Sequence, residues 1–258
     1  MKKYLIIPDV HGRSFWQAPC DNIEDYEKVI FLGDYFDPYD FEGITVPMCI
    51  ENFNKIMELK KNNMDKVVLL LGNHDCPYVF KEYFNLSSYH CRHSSMFHKE
   101  ISELFNSNID YFKISHVEGD VLFTHAGVES GWLENIVKCD KTDIDGISDA
   151  LNGLMNDADG LRKLYCVSFS RGGRDKYGSC VWSDVSDVVS DIDSVEFENS
   201  PQKPIHSIKQ VFGHTLQAYY GRDNKIFYGD AVEYKNCKML DTARAYELDI
   251  INFEIKVL

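Results

Sequence analysis

Residues 4–13, YLIIPDVHGR, set an apolar run of the kind that forms a buried strand against an abrupt polar stop at Asp9 and His11. Alone, such a D-x-H ending also fits a strand running out into a polar turn. The same punctuation recurs along the chain, in KVIFLGD to Asp34, KVVLLLGNHD to Asp75, VLFTHAG at His125 and IKQVFGHT at His214. These runs are rich in Val, Ile, Leu and Phe without polar alternation, the pattern of strands covered on both faces, and they predict layers of helix over sheet. In VPMCIENFNKIMELKKNN, the positions Met48, Ile50, Phe53, Ile56, Met57 and Leu59 recur at roughly helical spacing and predict a crossover helix. Helical periodicity also runs through residues 78–106, with Ser94 or Ser95 as N-cap of its second part, and through residues 144–156. After His214 the runs KIFYGD, CKMLDT and AYELDIINFEIKVL alternate and are split by polar turns, as antiparallel strands are. Residues 184–199, DVSDVVSDIDSVEFEN, read as an acidic surface loop.

The bulk numbers narrow the function classes. A chain of 258 residues can bury a substantial core, and one domain over residues 1–258 is expected. With 41 acidic against 27 basic residues, the net charge of −14 disfavours non-specific binding to nucleic acid or anionic membranes. Eight cysteines are scattered without a C-x-x-C pair, which argues against a zinc ribbon or a dithiol redox site and for reduced thiols. The opening apolar run meets Asp9 before a signal-peptide core can develop, and no run approaches the ~18 apolar residues of a membrane span, so a cytoplasmic protein is expected.

Polar residues at several strand ends converge on one crevice in an open α/β sheet. Asp9 with His11, Asp34 with Asp37, Asn73 with His74, His125 and His214 therefore form a set of hard oxygen and imidazole donors, suited to Mn, Fe or Zn without any thiolate. DVHG, GDYFD, GNHD, HAG and FGHT occur in the order seen in calcineurin-like metallophosphoesterases, and VWSD at 181–184 resembles the phosphoprotein phosphatase branch. That resemblance spans residues 9–215. It implies a four-layer αββα sandwich of mixed sheets with antiparallel C-terminal strands. It also implies two divalent ions, manganese first with iron or zinc as alternatives. One would be held by Asp9, His11 and Asp34, the other by Asp34, Asn73, His125 and His214, with Asp34 bridging. The implied chemistry is in-line attack on phosphorus by a metal-bound hydroxide, with His74 protonating the leaving oxygen and Asp37 orienting His74.

Two positions depart from the family pattern. Pro38 stands where the family carries a phosphate-clamping arginine, which leaves Arg13, Arg171 and Arg174 as candidate substrate contacts. For the R-G-G-R stretch, a solvated loop is an equal alternative. Asp75 stands where the branch usually has Glu. Trp182 and Ser183 read as packing and hydrogen-bonding elements behind the site, and Tyr35, Phe36 and Tyr39 as core more than pocket wall. His90, His93, His98, His116 and His206 read as structural or exposed; the cluster YHCRHSSMFH matches no common zinc spacing. Asp230 follows a strand without a stronger signal. The expected substrate is a phosphomonoester, on protein or small molecule. A nucleotide phosphohydrolase of the diadenosine tetraphosphatase type is the enzymatic alternative, and a non-catalytic scaffold the alternative from another class.

Overall fold

The apolar run that opens the chain forms β1 (Lys3–Ile7), and the next two form β2 (Lys28–Phe31) and β3 (Val67–Leu70). The computed structural model describes residues 2–81, 91–92, 94–197, 204–215 and 231–258. The chain divides into two units, Met1–Lys113 with Thr242–Leu258, and Ile114–Asp241.

In the first unit β1, β2, β3 and β4 (Phe112–Lys113) run parallel, while β10 (Tyr246–Asp249) and β11 (Glu254–Val257) add antiparallel strands, giving the order β11-β10-β1-β2-β3-β4. Leu5, Ile6, Ile7, Val29, Ile30, Phe31, Leu69 and Leu70 are all fully buried, which explains why these strands carry no polar alternation. The crossover between β2 and β3 is α1 (Val46–Asn62), which buries Cys49, Phe53, Ile56 and Met57 and leaves Met48 at the surface. A short α2 (Cys76–Val79) follows β3, and α3 (His98–Asn106) buries Ile101 and Phe105. Phe53 of α1 meets Phe105 of α3 at 5.0 Å and Tyr35 at 5.8 Å, and Phe105 meets Phe112 at 5.3 Å. Each fully buried phenyl ring contributes roughly 1.5–3 kcal/mol, so this aromatic cluster is a main source of cohesion between helices and sheet.

Helix α3 starts at His98, later than the sequence predicts. The Ser94 N–H is taken by the Tyr78 hydroxyl at 2.7 Å and residues 95–97 form a turn, so neither Ser94 nor Ser95 caps the helix. The stretch 82–90, His93, the KIFYGD run and Asp230 lie outside the described residues.

In the second unit β6 (Val121–Thr124), β7 (Lys209–Phe212) and β9 (Cys237–Met239) run parallel, flanked by antiparallel β5 (Ser115–Glu118) and β8 (Val232–Tyr234), in the order β5-β6-β7-β9-β8. The segment 144–156 is α4 (Ile144–Gly153) with a closing 3₁₀ turn; Asp143 caps it by accepting from Gly146 N at 2.8 Å. The stretch read as an acidic loop is instead α5 (Val185–Phe197). Val185, Val188, Val189 and Ile192 fall at i, i+3, i+4 and i+7, and they pack on Phe212, Cys237 and Met239 of the sheet. Asp184 accepts from Ser186 N at 2.9 Å at the helix start. The acids that suggested a loop lie on the other faces of this helix, where acidic charge is compatible with helical structure. The architecture is α/β with two mixed sheets and helices, as the strand runs indicate.

Candidate metal centre

The loops leaving β1 and β2 are zipped together beyond the ends of the strands. Val10 N, His11 N and Gly12 N donate to the carbonyls of Gly33, Asp34 and Tyr35 at 3.3, 2.6 and 2.9 Å. This ladder carries Asp9 and His11 alongside Asp34. The loop after β3 meets them through Gly33 and Gly72, whose backbones approach so closely that a Cβ on either would collide; at Gly72 it would strike the Asp34 carboxylate. His11, Asp34 and Asp37 hold φ of 45°, 56° and 60°, in the left-handed region that non-glycine residues seldom occupy. Each such residue costs on the order of 1–3 kcal/mol and persists only where its surroundings over-determine it, a condition typical of functional sites.

The Nδ1 of His11 lies 2.7 Å from the Phe36 carbonyl, which can only accept, so the ring proton sits there and Nε2 is left facing Asp34 Oδ2 at 3.6 Å. Burial, reinforced by the His74 charge, holds His11 well below its ordinary pKa, so the imidazole is neutral, the form that ligates a metal. Burial and the neighbouring Asp9 carboxylate push Asp34 well above the usual carboxylate range. Donor atoms of His11, Asp34 and His74 lie within 4.8 Å of one another, so buried imidazole and carboxylate donors converge at this point. Acids driven toward protonation by burial and by each other are relieved by a divalent cation, so the residues present fit the metal that the family implies.

Asp75, fully buried, accepts three backbone N–H bonds: from Asp34 at 2.7 Å, Tyr35 at 2.9 Å and Gly72 at 2.8 Å. Burial and the Asp34 charge raise its pKa while these three donors oppose the rise. Asp75 thus clamps the β2 and β3 loops to each other, a role its motif did not reveal.

A second network extends from His74. Its Nδ1 lies 2.9 Å from Asp37 Oδ2, the Tyr78 hydroxyl donates to Asp37 Oδ1 at 2.6 Å, and Ser94 N donates to that hydroxyl at 2.7 Å. The His74 N–H donates to Asp34 Oδ1 at 2.9 Å. A carboxylate at Nδ1 fixes the tautomer, leaves Nε2 for other chemistry and favours the protonated ring. Tyr78, which braces Asp37, carried no sequence signal beyond an aromatic among many.

In the second unit, His125 follows β6 and His214 follows β7, two neighbouring parallel strands, so both sit at the same sheet edge. His125 Nε2 lies 3.1 Å from His214 Nδ1, and His214 takes φ 70°. The Trp182 ring packs edge-on to His214 at 5.9 Å, and Ser183 Oγ lies 2.9 Å from Glu129 Oε1. Trp182 thus packs against this edge, and Ser183 is a buried hydrogen-bonding residue. Asp241, just after β9 and 1% exposed, is a further acid there that the sequence did not single out.

Glu129 also accepts from Gly178 N at 2.7 Å, and burial pushes its carboxyl from 4.5 to about 8. Below pH about 4.5 the folded and unfolded chains both carry this proton. Between 4.5 and about 8 only the fold retains it, so this group's contribution to stability falls as pH rises, by at most about 1.4 kcal/mol per unit. Glu129→Gln, neutral at every pH, is expected to flatten that part of the profile. Denaturant melts of both proteins at pH 5, 6.5 and 8 measure it; parallel profiles would show that Glu129 is ionised in the fold.

The candidate arginines differ in their commitments. Arg13 forms a two-pronged pair with Glu42, Nε to Oε1 at 2.6 Å and Nη2 to Oε2 at 3.1 Å, and Nη1 reaches the Asp9 carbonyl at 3.4 Å. Arg171 lies 3.4 Å from Asp184, and Arg174 is exposed. Tyr35 and Phe36 are core, whereas Tyr39 stands 6.1 Å from the His11 ring.

Parallel strands ending in buried acids and imidazoles, with a carboxylate-braced histidine beside them, define a metal-dependent hydrolase. The calcineurin-like phosphoesterase family matches residues 2–218, and the chain belongs to it: the protein is a hydrolase of phosphoric esters. Among solved structures, it is similar to a protein serine/threonine phosphatase from Saccharomyces cerevisiae with similarity to human phosphatase PP5, at 12% identity and TM-score 0.54, covering 100% of this chain and 79% of that one. A putative diadenosine tetraphosphatase aligns at 12% identity and TM-score 0.47, covering 100% and 93%. A metallophosphoesterase from Sphaerobacter thermophilus aligns at 11% and 0.45, covering 99% and 86%. No curated protein matches the sequence significantly. Among the described residues, no helix is long and apolar enough to cross a membrane.

Proposed function

We propose that the protein is a phosphomonoesterase acting on phosphoserine or phosphothreonine or on a small phosphate ester. Asp9, His11 and Asp34 are assigned to one divalent ion and Asp34, Asn73, His125 and His214 to a second. The pairing of the two sets rests on family membership and motif order. Bound there, manganese, iron or zinc would supply Lewis-acid stabilisation of the phosphoryl oxygens and lower the pKa of the attacking water. The single observation that carries the reading is the Tyr78–Asp37–His74 chain beside the His11–Asp34 cluster. Cleaving a phosphate monoester leaves an oxygen that must gain a proton, and Asp37 holds His74 in the form that can give one.

The test is turnover by the manganese-loaded protein of p-nitrophenyl phosphate against its bis-ester. Monoester preference of tenfold or more is expected. Preference for the bis-ester would replace this reading by a phosphodiesterase or dinucleoside polyphosphate hydrolase. Manganese binding with no turnover of either would leave a non-catalytic scaffold.

A further inference from the structure

Arg92 was not among the candidates for contacting substrate. Its guanidinium carbon stands 3.7 Å from the centre of the Tyr39 ring, and its Nε and Nη2 donate to the Asp37 carbonyl at 3.3 and 3.0 Å. A cation held flat on an aromatic face and tied to a backbone carbonyl loses its freedom without losing its charge. The residue is exposed, and among the described residues no acceptor meets Nη1. Tyr39 is the ring beside His11, and Asp37 braces His74, so both anchors of Arg92 belong to the candidate centre.

Arg92 and Arg13 are the two guanidinium groups whose charges act on His11, and they differ in one respect. Arg13 is neutralised by its bidentate pair with Glu42, and position 38 is a proline that supplies no cation. No carboxylate pairs with Arg92 among the described residues. In a chain of net charge −14, a fixed, unneutralised cation beside a cluster of acids is arranged to offset an incoming anion.

We propose that Arg92 binds the phosphoryl group of the substrate, its free guanidinium edge donating to phosphoryl oxygens while Tyr39 and the Asp37 carbonyl fix its orientation. The assignment deepens the phosphomonoesterase reading and rests on it. It makes Tyr39, the Asp37 carbonyl and Arg92 one oxyanion-binding element, built from residues far apart in sequence.

Calorimetric titration of inorganic phosphate into the manganese-loaded protein tests it, with manganese affinity measured in parallel. Arg92→Ala is expected to weaken phosphate binding about 10- to 100-fold with manganese affinity unchanged, the loss expected for a charge-assisted bidentate contact. Arg92→Gln can still donate to the Asp37 carbonyl but carries no charge, and it is expected to lose as much. Wild-type phosphate affinity in Arg92→Gln would overturn the proposal, because the side chain would then serve only to hold the loop. Loss of manganese affinity alongside that of phosphate would overturn it in the same sense. A manganese-loaded wild type that binds no phosphate and turns over no monoester would remove the phosphomonoesterase reading itself, and this assignment with it.

Discussion

Replacing Asp34 by Asn is expected to cut manganese-supported turnover on the order of 10³-fold or more, beyond the 10- to 100-fold cost typical of residues that act only behind a ligand. The change is isosteric, so its effects separate cleanly. The amide oxygen can keep the bond from His74 N–H that Oδ1 now accepts. The new NH₂ would face His11 Nε2, now 3.6 Å from Oδ2, and donate to the nitrogen that a metal would need. The variant therefore loses the charge proposed to bridge the two ions and engages the His11 nitrogen proposed as a ligand at once.

Stability should move the other way. Asp34 is strained by burial and by the Asp9 carboxylate, and a neutral amide relieves both. The metal-free variant is expected to melt at or above the temperature of the metal-free wild type, while bound manganese falls below the wild-type stoichiometry. Thermal melts and elemental analysis of both proteins check this. A variant with full metal content and more than a tenth of wild-type turnover would take Asp34 out of the centre.

The parallel strands were legible because burial on both faces imposes continuous apolar runs, and because a strand end must give way to polar residues where the chain turns. Asp9, Asp34 and His125 are visible for that reason: they interrupt such runs. Helix α5 was obscured because Asp187, Asp191 and Asp193 within it and Asp184 just before it make the stretch read as acidic, whereas the decisive signal was the narrow stripe of Val185, Val188, Val189 and Ile192. Asp75, Tyr78, Glu129 and Arg92 escaped for another reason. Each works through a partner distant in sequence, such as Tyr78 with Asp37 or Arg92 with Tyr39, and no local spacing records that pairing. The strained φ values at His11, Asp34 and Asp37 are likewise invisible in residue type, since neither His nor Asp announces the left-handed region as glycine does.

His74→Asn is expected to lower kcat about 10²- to 10⁴-fold on phenyl phosphate, whose leaving group is strongly basic, and by much less on p-nitrophenyl phosphate. The difference between the two substrates is the signature, because a proton donor acts more strongly as the leaving oxygen becomes more basic, and unchanged manganese content separates that role from a ligand's. His74 could instead serve as a ligand, since its donor atom falls in the cluster with His11 and Asp34. Its Nδ1, however, is committed to Asp37 at 2.9 Å, and Asp37 is in turn braced by the Tyr78 hydroxyl at 2.6 Å. That chain favours the imidazolium, the form that can donate a proton to a leaving oxygen. Manganese content in His74→Asn is therefore expected to match the wild type. Equal losses on the two substrates, or loss of manganese, would reassign His74 from proton donor to ligand. Tyr78→Phe, which removes one bond to Asp37 and leaves the imidazole in place, should show the same leaving-group dependence at a fraction of the size.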